Sequence, residues 1–182
     1  MAPLRSVGNL NSAFDDFYAR TGKDAVKPFV DAIVATGGAT STPGDGFKYH
    51  FFPSPGTFTV TSGEGDIGLL LIGGGGGGGT EQGCGGGAAA VIYRTAVPVT
   101  TQSYPISIGN GGAAGPPGGL NPGSNGTDST GFGFTSDAGG SGGSRWHRGG
   151  SGGSAGGGTA YPPGGGGVTT GANPHPGPLK HS

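Results

Sequence analysis

Residues 73–87 read GGGGGGGTEQGCGGG, and nothing in them can pack as a helix or as an ordinary hydrophobic strand. An apolar run, Ile67-Gly68-Leu69-Leu70-Leu71-Ile72, stands just before. Another, Ala88-Ala89-Ala90-Val91-Ile92-Tyr93, stands just after. A segment of bare backbone is thus clamped between two candidate core strands. Ordering a glycine costs roughly 0.5–1 kcal/mol relative to alanine, so an ordered run must recover that loss. The run can stay unordered as a linker. Alternatively, it can form extended helices with three residues per turn, whose N–H and C=O groups all point outward and bond neighbouring helices. The flanking strands favour the second route, because a linker does not usually interrupt a hydrophobic hairpin.

The chain of 182 residues holds 48 Gly and 15 Pro, without a Gly-X-Y period, a balance common in low-complexity chains. Yet only 10% of residues are charged, whereas solvated disordered chains are usually highly charged. A formal net charge of −1 leaves no basic face for phosphates, so no nucleic-acid partner is expected. At 31% hydrophobic, a conventional core would be thin, and stability must come from backbone bonding, oligomerisation or docking on a larger body. The single Cys84 has no partner for an internal disulfide or a metal site. The N-terminal Met1-Ala2-Pro3-Leu4-Arg5 carries no apolar signal core, and no apolar run is long enough to insert in a membrane. Synthesis in a cytoplasm without classical export is the expectation.

Four regions follow. Residues 1–36 are an N-terminal anchor segment, expected to be a short helix and extended chain. Asn11 or Ser12 can cap the helix, and Phe14, Phe17 and Tyr18 share one of its faces. With Phe29 these aromatics are the candidates for docking on a partner protein. Residues 37–46 are a linker rich in Gly, Ser, Thr and Pro. Residues 47–167 are a glycine-rich β domain. Within it Gly56–Thr61 alternates cleanly, with Phe58 and Val60 on one face. Ala88–Thr95 reads as the strand partnering Leu69–Ile72, and Val97–Val99 to Tyr104–Ile108 as one more, with Pro98 and Pro105 favouring an edge. Gly131–Thr135 reads as a last short strand. Residues 168–182 are an extended tail containing Pro174, Pro176 and Pro178.

Four features in order carry a resemblance: the strand Gly56-Thr57-Phe58-Thr59-Val60, the run Leu69–Ile72 leading straight into polyglycine, the return Gly85–Tyr93, and Tyr104–Gly112. Ser129–Gly140 continues the pattern. The chain resembles the glycine-rich domain of virion proteins of tailed bacteriophages, above all tail fibres and receptor-binding adhesins. The resemblance implies a mainly β fold, with a small β-sandwich-like core and stacked polyglycine segments beside it. It also implies that loops between glycine segments contact the host. Residues 1–36 lie outside the pattern, and no long shaft is present.

Arg145-Trp146-His147-Arg148 is the densest functional-looking cluster, flanked by Gly-Gly-Ser repeats. Exposed, it would suit an anionic glycan, with Arg taking carboxylate or phosphate and Trp stacking on a sugar face. Equally, Trp146 could simply pack on glycine backbone. GxGxxG matches trivially in polyglycine, GxxxxGK[ST] does not occur, and no GxSxG elbow is expected at a strand end. His147, His175 and His181 lack ligand spacing with Cys84 or one another. No catalytic residue, metal or cofactor is therefore expected. The resulting expectation is a non-enzymatic virion structural protein, a short tail fibre or fibre tip for host attachment. It would be a homo-oligomer, a trimer, joined to other virion proteins through residues 1–36. A head or tail decoration or knob protein is the second reading. A disordered glycine-rich linker or matrix protein is the third.

Overall fold

The computed structural model describes residues 32–158. The expected helix with Phe14, Phe17 and Tyr18, the anchor residue Phe29, and the tail from residue 168 lie outside the described residues.

The described residues form β1 (Val34–Thr36), β2 (Ala39–Ser41), β3 (Tyr49–Phe51), β4 (Gly56–Ser62), β5 (Gly65–Ile72), β6 (Val91–Val99), β7 (Ser103–Ser107), β8 (Ser129–Gly131) and β9 (Phe134–Ser136). A five-stranded antiparallel sheet, in the order β1-β4-β7-β8-β9, makes one layer. The β5–β6 ribbon and the β2–β3 hairpin cover its apolar face. The alternation in β4 buries Phe58 and Val60, which join Ala35, Val99 and Ile106 in the core. Leu69, Leu71 and Val97 point inward from the ribbon, and Ile67 and Phe132 pack against both clusters. His50 of β3 meets Phe58 edge-on at 5.0 Å, so the hairpin abuts the same core.

Several elements differ from the sequence expectation. β1 falls within residues 1–36 and β2 within 37–46, so the chain joins the sheet before the glycine-rich region begins. Gly131–Thr135 is not one strand. It is the hairpin β8–β9, turned at Phe132 and Gly133 with φ of +53° and +78°. Two positive φ values suit the tight turn that matches strand twist. Phe132 is an unusual residue there, held by stacking on Tyr104 at 4.9 Å and by the Phe58 ring at 5.5 Å. β7 is an interior strand. Because β8 pairs only with Ile106 and Ser107, Pro105 still sits where the strand is locally an edge.

Each sheet pair continues into paired polyglycine segments. PG1 (residues 73–80) leaves β5 and PG2 (84–90) returns to β6. PG3 (109–115) leaves β7 and PG4 (121–128) returns to β8. PG5 (137–144) leaves β9, and PG6 (149–153) and PG7 (154–158) complete the bundle. PG1 and PG2 are antiparallel, with Gly76 N donating to Gly87 O and Gly79 N to Cys84 O. PG3 and PG4 repeat this through Ser124 N to Ala113 O and Thr127 N to Asn110 O. PG5 is the central segment, buried from Ala138 to Ser144. It donates to PG1 and PG7, and it accepts from PG2, PG4 and PG6.

Donors recur every third residue. In PG1, Gly73, Gly76 and Gly79 donate to PG2, while Gly74, Gly77 and Thr80 donate to PG4. That period is the three-residue turn of an extended helix without internal bonds. Ala88–Ala90, expected in the strand, continue PG2 instead, with Ala90 N donating to Asp137 O. None of the glycines in PG1 to PG7 has a positive φ. Their role is therefore close approach, not an unusual backbone angle. A Cβ on Gly74 or Gly77 would overlap the carbonyl oxygen of Asn110 or Ala113. On Gly75 and Gly78 the nearest atoms would be 3.9 and 3.5 Å away, ordinary contact.

Candidate functional site

PG1, PG3 and PG5 all run away from the sheets. Gly112 N donates to Gly75 O and Gly115 N to Gly78 O, a parallel pairing. Gly139 N and Gly142 N likewise donate to Gly74 O and Gly77 O. These registers bring the ends of the three outgoing segments to one level. The loops 81–83, 116–120 and 145–148 therefore share the far end of the bundle. Chain direction sets the opposite pole. β1 pairs antiparallel to β4, with Val34 opposite Ser62, and β4 pairs antiparallel to β7, with Gly56 opposite Ile106. Since β7 runs toward the bundle, β1 does too, and Val34 lies at the sandwich end remote from the loops. Ile33 is there as well, 3.4 Å from where a Cβ on Gly65 would stand, at the start of β5.

Side chains fasten the three loops. The Thr80 hydroxyl donates to Gly119 O at 2.7 Å, and Thr80 N donates to Asn121 O at 2.9 Å. Asn121 Nδ2 donates to Pro116 O at 2.9 Å. Ser144, fully buried, donates its hydroxyl to Leu120 O at 2.9 Å and lies 2.9 Å from His147 Nδ1. His147 N donates to Ser144 O at 2.8 Å, closing the turn. Ser144 is buried and its hydroxyl lies between Leu120 O and the His147 ring, so the pair fixes the loop. Glu81 and Gln82 take φ of +49° and +60°, two left-handed positions in succession. Non-glycine residues seldom adopt them, so the turn presents these polar side chains at some conformational expense.

The structure brings Arg145, Trp146, His147 and Arg148 together at this far end. The Arg145 guanidinium lies over the Trp146 ring, 5.2 Å from its centroid, and Trp146 remains 43% exposed. Trp146 is thus partly exposed and partly covered, with the Arg145 cation held over its ring. The anchor candidates Phe14, Phe17, Tyr18 and Phe29 lie outside the described residues.

Sequence reading did not single out Thr80, Ser144, Asn125 or Asp128. Asn125 Oδ1 accepts from Ser141 N, and Asp128 Oδ1 accepts from Ala138 N, each at 2.7 Å. Those acceptors stand three residues apart on PG4 and meet donors three apart on PG5. A period-three scan of the non-glycine residues would have found them. So would the Ser141 and Ser144 positions of the Gly-Gly-Ser repeat.

The fold and its loops define a class: a β-sandwich whose strands run on into a hydrogen-bonded polyglycine bundle that carries loops at its end. More particularly, the chain belongs to the family described as a glycine-rich domain, whose model matches residues 53–178. No curated protein and no solved structure matches it.

Proposed function

We propose that this chain is a non-enzymatic virion protein of a tailed bacteriophage, a short tail fibre or fibre tip that contacts the host through its distal loops. The observation that carries the reading is polarity. The chain enters the sandwich at one pole, and three loops, one bearing Trp146 between arginines, are held together at the other. The N-terminal anchor segment, residues 1–36, joins the module to other virion proteins, and copies assemble as a homo-oligomer, a trimer. The bundle supports such a role because backbone bonding fixes its segments without bulky side chains, so loop position is set by a rigid scaffold. An anionic surface glycan is the ligand class that suits the loop: arginine takes its carboxylate or phosphate, and the indole stacks on a sugar ring.

The test is adsorption. Purified chain should compete with phage for host cells, and Trp146→Ala should weaken that competition at least tenfold while particles still assemble. Full competition by the Trp146→Ala chain would remove the loop from the account. A chain that binds only a capsid or tail lattice, with no effect on adsorption, would be a decoration or knob protein.

A further inference from the structure

The β5–β6 ribbon is apolar on both faces. Its inner residues Leu69, Leu71 and Val97 are buried. Its outer residues Leu70, Ile72, Val91 and Tyr93 are exposed by 61%, 51%, 44% and 62%. They form one cluster, because Leu70 is opposite Tyr93 and Ile72 is opposite Val91. Antiparallel ribbons that face water usually carry polar residues on that side.

An aromatic stripe extends this cluster. Phe47 is exposed by 70%, and Tyr49 and Phe51 of β3 by 41% and 54%. Their rings follow one another at 6.4 and 6.2 Å. Tyr49's phenol is held above its ordinary pKa first by its hydrogen bond to Asp45, and Tyr93 adds to the effect from close by. That influence of Tyr93 on Tyr49 sets the aromatic stripe beside the ribbon cluster.

We propose that this face is where a second copy of this chain docks. The seven side chains together present on the order of 700 Å², close to the about 800 Å² that each partner buries in a standard interface. Patches on monomers are commonly about 300–600 Å². None of the seven is charged. The neighbouring Asp45 carboxylate accepts from the Tyr49 hydroxyl at 2.7 Å, and the Arg94 guanidinium lies over Phe134 instead. Copies set about a common axis can therefore bring these seven uncharged side chains against one another. The face runs along the flank of the sandwich, so side-by-side copies leave the distal loops uncovered. This inference does not depend on the attachment reading.

Sedimentation of the full chain over a concentration series tests it. The unsubstituted chain should sediment as a multiple of the monomer mass. Tyr93→Glu and Leu70→Lys should each raise the dissociation constant at least tenfold, while Trp146→Ala leaves it unchanged. Protection of the Gly77 amide from exchange reports that a variant is folded. Oxidative dityrosine cross-linking of the unsubstituted chain gives a second readout that needs no variant: covalent joins between copies should map to Tyr93 and Tyr49. A chain that stays monomeric, an oligomer that Tyr93→Glu leaves intact while Gly77 is still protected, or cross-links confined to other tyrosines would each overturn the proposal.

Discussion

The sandwich and the polyglycine bundle solve one packing problem by opposite means. The sandwich excludes water with side chains: Phe58, Val60, Val99 and Ile106 fill the space between layers. The bundle excludes water with main chain alone. PG5 is buried from Ala138 to Ser144, yet those residues are glycine, serine and one alanine. In the sandwich, adding space is the hazard, since a truncated side chain leaves a cavity. In the bundle, removing space is the hazard, since a single methyl meets backbone that cannot rotate away. A net hydrogen bond is worth about 0.5–1.5 kcal/mol, comparable to the ordering cost of a glycine. The bundle is therefore stable only when its segments assemble together, grown from strands that the sandwich already holds in register.

Four substitutions probe this contrast, beginning with the largest effect. Gly77→Ala should destabilise the chain by about 3 kcal/mol or more, because its Cβ would overlap the Ala113 carbonyl. Urea unfolding would measure it, and a loss below about 1 kcal/mol would break the claim that backbone is the packing material. Leu71→Ala, the sandwich counterpart, should cost about 2–3 kcal/mol by cavity formation. If it were the more damaging of the two, the side-chain core would dominate.

Ser136→Ala tests the seam between the regions. This buried hydroxyl donates to Ala90 O at 2.6 Å and accepts from Gly73 N at 3.1 Å, where PG1 and PG2 meet the sheet. Losing it should cost about 1–2 kcal/mol and speed amide exchange in PG1 more than in β4. Equal acceleration in both would mean that the two regions open as one unit. Gly78→Ala is the smallest effect. It lies one residue from Gly77, yet its Cβ would meet only ordinary contacts. Stability should be unchanged or higher by about 0.4–1 kcal/mol, since alanine restricts the unfolded chain. Amide exchange should show the same period, with Gly76 and Gly77 protected. Uniform sensitivity at Gly77 and Gly78 would contradict the three-fold register.

What was legible in the sequence follows from how local each signal is. The β4 alternation and the Leu69–Ile72 run announce strands because side-chain period is a property of a few consecutive residues. The β8–β9 hairpin was hidden because its turn begins with a phenylalanine, whose left-handed backbone is held by Tyr104 and Phe58 from other strands. β1 and β2 are only three residues each, and β1 owes its existence to pairing with β4. Of the distal site, the Arg145–Arg148 cluster was readable as composition. Its company was not, since Thr80 and Ser144 act through carbonyls of residues 119 and 120.

By itself the sequence determined that bare backbone must pack somewhere, because apolar strands lead directly into glycine on both sides of residues 73–87. It also determined which residues could fill a side-chain core. Only the tertiary structure decided which glycines are indispensable, which loops share a pole, and which apolar residues stay exposed. The reason is physical. A glycine offers no side chain by which its neighbours can be told apart, so whether Gly77 or Gly78 faces a carbonyl depends wholly on the segments laid against it.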